Sequence, residues 1–241
     1  MPLKVRTPDR PGHIPRTTRL YAVLEGLAIG LLPLLLLLAA WLRWEQSALL
    51  TLVAALLASL PFFLHFEASR PAPKDILPIV VMAALATAGR ILFAPLASFK
   101  PVSAIVIVTA LVYGPQSGYM TGALAALTSN LFFGQGPWTP WQMFAWGLVG
   151  YLAGQLHRAG RLNSRIGIYV YGFLSGLLFG VIVDSWYIVG FVEPINRETV
   201  LAAYLAGLPF NLTHSVATVM FLVPILGPWQ RKLERLKRKF G

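Results

Sequence analysis

Asn130, Asp184, Asn211 and His214 are polar side chains set inside, or at the end of, long apolar runs. A carboxylate in that setting is costly unless paired or solvated, so it marks a site or an ion pair. Amides there either bond helix to helix or hold a ligand. Just beyond Asn130 the chain reads GQGPWTPWQ from Gly134 to Gln142. Thr139 holds the place of an N-cap, Pro140 that of a first helical residue, and Gln142 completes the spacing of a capping box. The same stretch carries Gln135, Trp138 and Trp141, with Trp146 one turn further on. Tryptophan offers flat apolar surface to a ring-bearing ligand, and amides fix its orientation by hydrogen bonds. With Tyr187 added, the candidate substrate-binding residues are Asn130, Gln135, Trp138, Trp141, Gln142, Trp146, Asp184, Tyr187, Asn211 and His214. Two plainer readings stay open. The tryptophans could form an interfacial belt, and Asn130 and Asn211 could be interhelical glue.

Covalent chemistry finds few candidates. There is no cysteine, which removes thiol catalysis, thiolate metal sites and disulfides. His13, His65, His157 and His214 lie far apart, without metal-ligand spacing. No Gly-rich phosphate loop, paired carboxylates or nucleophile elbow is present. No catalytic or metal-binding residue is therefore expected, and no catalytic cofactor. The competing reading is a membrane enzyme acting on an amphipathic or lipid-linked substrate, with Asp184 and His214 as acid–base pair.

These residues must be held by membrane helices. Of the 241 residues 56% are hydrophobic and 12% charged, against about 25% charged in soluble domains. Mean hydropathy is +0.66. Eight spans are expected, at 20–41, 47–66, 75–94, 101–114, 117–133, 140–157, 166–189 and 200–226. The first run is too long for a cleaved signal, contains Glu25, and ends at Trp41, Arg43 and Trp44. The fourth is too short to face lipid alone and should lie beside protein. With the N-terminus inside, only Arg43, Arg90, Lys100 and Arg197 fall outside, and the other sixteen of twenty basic residues face the cytoplasm. The net charge of +11 then belongs to the membrane's inner side, not to nucleic acid.

Three regions follow: 1–66, a basic cytoplasmic N-terminus with a two-helix appendage; 75–227, a six-helix substrate-binding core; and 228–241, a basic amphipathic cytoplasmic tail with Leu233 and Leu236 on one stripe. Within the core, small residues recur every fourth position. Gly118, Gly122 and Ala126 lead to Asn130; Gly172, Gly176 and Gly180 lead to Asp184; Ala203 and Gly207 lead to Asn211. Such stripes let helix backbones approach closely. The alternating topology brings Asn130, Gln142 and Asp184 near the outer face, with Asn211 about 16 Å into the last helix. One outward-opening cavity could collect them.

The stretch from Ile76 to about Gly154 resembles the substrate-binding S-components of energy-coupling-factor (ECF) vitamin transporters. The resemblance rests on the small-residue helix with Ala83, Ala84, Ala86, Ala88, Gly89 and Arg90, on Phe99-Lys100-Pro101, and on the Gly134–Gly147 block after Asn130. It implies an all-α integral membrane protein with a six-helix core; the two extra N-terminal helices depart from that plan. It also implies capture of a vitamin outside the cell and delivery through a transmembrane coupling subunit with two ATPases, as in an ABC importer. Ala84 and Ala88 match the face that meets the coupling subunit. A cobalamin-type corrinoid would suit a wide aromatic-rimmed pocket.

Both chain ends are expected in the cytoplasm of a multi-pass cell-membrane protein. Fusions at residues 1 and 241 to a reporter active only inside should both give signal, and a reporter active only outside should give none. An external signal at either end contradicts the eight-span topology.

Overall fold

The structure, a computed structural model, describes residues 20–30 and 47–240. It is an all-α membrane fold. The helices are α1 (Leu20–Gly30), α2 (Ser47–Ala68), α3 (Pro73–Leu92), α4 (Val102–Tyr113), α5 (Pro115–Phe133), α6 (Trp138–Arg158), α7 (Arg165–Phe191) and α8 (Arg197–Phe240). Each expected span from the second to the eighth coincides with one of them. The basic residues 1–19, the second half of the first span and the Trp41–Trp44 boundary lie outside the described residues.

Helix α4 is the axis around which the core is built. It has 12 residues, about 18 Å at 1.5 Å per residue, against the ~30 Å of a bilayer's hydrocarbon layer. Every residue from Val102 to Val112 is buried, and α3, α5, α6, α7 and α8 all touch it. Gly114, at φ 98°, reverses the chain so that Pro115 can open α5. At the other end α3 stops at Phe93, and the Lys100 ammonium donates to the carbonyls of Phe93, Ala94 and Leu96. Burial, and then the charge of nearby Arg90, push Lys100 below its ordinary pKa.

The glycine stripes are contact lines. A Cβ on Gly118 or Gly150 would strike the other's backbone, and one on Gly122 would strike the backbone at Trp146. Gly176 meets Ser215, and Gly180 meets the Asn211 side chain, in the same way. Thus α5 lies flush on α6 and α7 on α8. Helices α3, α7 and α8 are long and apolar enough to cross a membrane. Helices α5 and α6 have the length but carry more polar residues, several of which bond to neighbouring helices: Gln116 to α1 and α2, Thr128 and Ser129 to α3.

The tail departs from expectation. Helix α8 runs unbroken for 44 residues through Pro209, Pro224 and Pro228. Proline removes a backbone donor and crowds the preceding turn, which is why a break at 228 is expected; neighbouring helices can support such positions. The stripe also divides: Leu233 is buried and Leu236 is 41% exposed. Lys237 donates to the Val112 carbonyl at 2.7 Å, fastening the tail to the end of α4.

The N-terminal helices are joined to the core. Phe62 of α2 stacks on Tyr119 of α5 at 4.0 Å. Glu25 of α1 is wholly buried. It accepts from the Tyr151 hydroxyl at 2.7 Å and pairs with His65 at 2.7 Å, while Gln116 reaches both. Four helices therefore converge on one carboxylate. Glu25→Ala should lower the thermal midpoint of the purified protein, by about 3–5 kcal/mol of stability, because Tyr151 and His65 lose their acceptor. Glu25→Gln, which keeps an acceptor, should recover much of it. Melting of Glu25→Ala at the wild-type midpoint in scanning fluorimetry would remove this network as the fastening.

Candidate functional site

Where α3 and α5 end and α6 begins, one hydrogen-bonded chain crosses all three. The Nη1 group of Arg90 donates to Asn130 Oδ1 at 2.7 Å and to the Ser129 hydroxyl. Asn130 is fully buried, and its Nδ2 donates to Thr139 Oγ1 at 3.0 Å and to Gln142 Oε1 at 2.9 Å. Thr139 donates onward to Gln135 Oε1 at 2.9 Å, and Gln135 donates to the Leu127 carbonyl at 2.9 Å. Asn130 thereby organises the site, with both ends of its amide engaged. Helix α6 begins at Trp138 with Pro137 before it, two residues earlier than expected. Thr139 is thus inside the first turn, its hydroxyl takes the Gly136 N–H at 3.4 Å, and Gln142 faces Asn130 instead of closing a capping box.

Beside this chain stands a shelf of rings. Trp146 stacks on Phe179 at 4.5 Å, and Phe179 stacks on His214 at 4.8 Å. The Arg90 guanidinium carbon lies 5.0 Å from the Trp146 ring centre and 4.8 Å from that of Phe133. Trp146 Nε1 donates to Ser103 Oγ at 3.2 Å, and Ser103 lies 2.8 Å from His214 Nε2. Ser103 Oγ has one proton and two lone pairs, so it serves Trp146 and His214 together whichever His214 tautomer is present. Donors, acceptors and π-faces converge here, and the Ser103–His214 contact is enclosed among them.

The other expected residues make no hydrogen bond to the Arg90 chain. Asp184 Oδ2 accepts from Asn211 at 2.7 Å, and Gly207 leaves room for that carboxylate; the pair belongs to the α7–α8 contact. No hydrogen bond links Asp184 to His214. Trp138 meets Trp186 edge-on at 6.2 Å. Trp141 is fully buried in the apolar cluster that α2 forms with α5 and α6. It takes a different face of α6 from Thr139 and Gln142, which bond Asn130. Tyr187 is 52% exposed and stacks on Phe191. Arg90, Ser103 and Phe179 join the site without being expected in it. Only Arg90 left a signal: a cation inside an otherwise apolar span.

Ala84 and Ala88 are exposed on α3, on the face that also shows Leu77, Val81 and Leu92. Two cavities stand out, and neither is lined by the Arg90 chain. One, of about 290 Å3, lies between α2 and α6 at Leu57, Ser59 and Met143. The other, of about 210 Å3, lies at the opposite end by Gly114, Arg158 and Lys237. Among the described residues no three His, Asp or Glu side chains gather as metal ligands.

A sequence model of the family described as ECF-type riboflavin transporter, S component, matches residues 72–231. The match spans α3 through most of α8 and leaves α1 and α2 outside. A UPF0397 protein of Clostridium perfringens (strain SM101, Type A) is 28% identical over 145 residues, 55% of this chain and 70% of the relative. A UPF0397 protein from a second strain of that species is 29% identical over 144 residues, 55% of this chain and 72% of the relative. No solved structure matches the chain.

Proposed function

The chain belongs to the family of ECF-type riboflavin transporter S components, and we propose that it captures a flat, ring-bearing vitamin at the outer ends of α3, α5 and α6. Membership makes it a multi-pass membrane protein and the substrate-binding subunit of an importer. It is a transporter component and not an enzyme, and works with the ECF coupling and ATPase subunits.

The observation that carries the proposal is the Arg90–Asn130–Gln142 chain lying against the Trp146–Phe179–His214 shelf. Rings at stacking distance admit a planar ligand by sliding apart, and the fixed amides would orient it. A flavin fits this reading better than a corrinoid. The expectation of a corrinoid came from a wide tryptophan rim, and Trp138 and Trp141 are engaged separately. Ala84 and Ala88, exposed and small, offer the coupling subunit a surface on which a helix can lie close. Both ends of the chain face the cytoplasm in this account, which follows the charge bias.

Riboflavin titrated into purified protein should be quenched on binding. Trp146→Ala should weaken binding about 5- to 150-fold, as for loss of ~1–3 kcal/mol, and Trp138→Ala should change it little. Ala84→Trp should abolish uptake in cells while the purified variant binds as before. Equal affinity of wild type and Trp146→Ala would move the site elsewhere, and parallel loss of binding and uptake in Ala84→Trp would make that alanine internal packing.

A further inference from the structure

Arg90 is a cation within a membrane span, and no carboxylate among the described residues pairs with it. Its hydrogen bonds go to Ser129 and Asn130, both neutral, and both leave from Nη1. The Nε–Nη2 edge has no acceptor among the described residues. That edge of a guanidinium matches a carboxylate or a phosphate with two parallel bonds. The rings of Phe133 and Trp146 supply part of the missing compensation through cation–π contacts. Removing an ion from water is costly, so neutral groups and ring faces alone leave a deficit. Lys100, within electrostatic reach of Arg90, adds to the positive field.

A snorkelling arginine would turn its head toward the membrane surface. Arg90 is held instead within the helix cluster: its guanidinium carbon lies 4.8 Å from the centre of the Phe133 ring, and it bonds an asparagine with no exposure. With Nη1 held by two bonds the open edge is fixed in direction, so a ligand meets it without an ordering cost at the arginine.

We propose that the ligand of this site carries an anionic group, a carboxylate or a phosphate, which pairs with the Nε–Nη2 edge of Arg90. The inference rests on the outer-site reading above and adds a substrate class to it: a planar ring joined to an anion. A cationic vitamin is rejected by the same charge. Arg90 is then both a binding residue and the one that determines specificity by charge.

The test uses probe pairs of one shape and two charges: riboflavin with riboflavin 5′-phosphate, and benzamide with benzoate. Binding is measured by calorimetry on the purified full chain as wild type, Arg90→Gln, Arg90→Lys and Trp146→Ala. Glutamine can still bond Asn130 and Ser129, and a thermal melt of each variant reports that it is folded. The anionic member of at least one pair should bind wild type ~10-fold more tightly or better, the scale of one charge-assisted pair. That preference should fall to about twofold or less in Arg90→Gln and survive in part in Arg90→Lys, which keeps the charge without the fork. Binding without preference for the anion, or the same preference in Arg90→Gln, overturns this inference and leaves the site standing provided Trp146→Ala weakens both members. Failure of every probe to bind wild type, or binding untouched by Trp146→Ala, overturns the site and this inference together.

Discussion

The guanidinium of Arg90 lies between Phe133 and Trp146 and is held to a buried asparagine, with no carboxylate of the described chain to meet it. Within a bilayer such a charge persists only where the surrounding helices fix its neighbours. Asn130 does so by joining three helices: it accepts from α3 and donates to Thr139 and Gln142 of α6. A hydrogen bond of this kind is expensive to leave unmade away from water, so the three helix ends are held in one register.

That register depends on close backbones below it. Gly118, Gly122 and Gly150 let α5 and α6 touch along their length, which brings Asn130 within reach of Gln142. The short α4 fills the centre, so its first turn can offer Ser103 to both Trp146 and His214. The two N-terminal helices contribute at the other side of α6, through Phe62, Tyr119 and the Glu25 carboxylate. They buttress the helix that bears Gln142 and Trp146, although they lie outside the family match.

Much of the fold was legible because membrane helices declare themselves by length, charge and small-residue spacing. The fourth span's shortness and its Pro101 and Gly114 flanks implied enclosure by protein, and Val102–Val112 are all buried. Asn130, Gln142, Trp146 and His214 were legible as polar or aromatic interruptions on helix faces, and they do gather. Other parts were not, for physical reasons. Spacing places Trp138 and Trp141 near one another on α6, but only the position of α2 decides that Trp141 is buried in an apolar cluster. Asp184 stands out as a carboxylate, yet its partner Asn211 lies on the neighbouring helix, where packing uses it. Arg90 was visible as a cation in an apolar span and in the stretch that carries the resemblance, but nothing in a run of residues says which neighbouring helix it leans on. The expected span already ran through Pro209 and Pro224, but the continuation of α8 past residue 227 was not legible, because Pro228 ahead of a basic tail ordinarily argues for a break.

Because the chain contains no cysteine, one introduced at Phe133 is a unique chemical label beside Arg90. The most direct measurement is its reaction with a membrane-impermeant maleimide on intact cells, with and without riboflavin, in Phe133→Cys protein that still binds the vitamin. An outer site predicts labelling without permeabilisation and a rate that falls as ligand is added. Labelling only after the cells are opened, or at a rate indifferent to bound ligand, contradicts it.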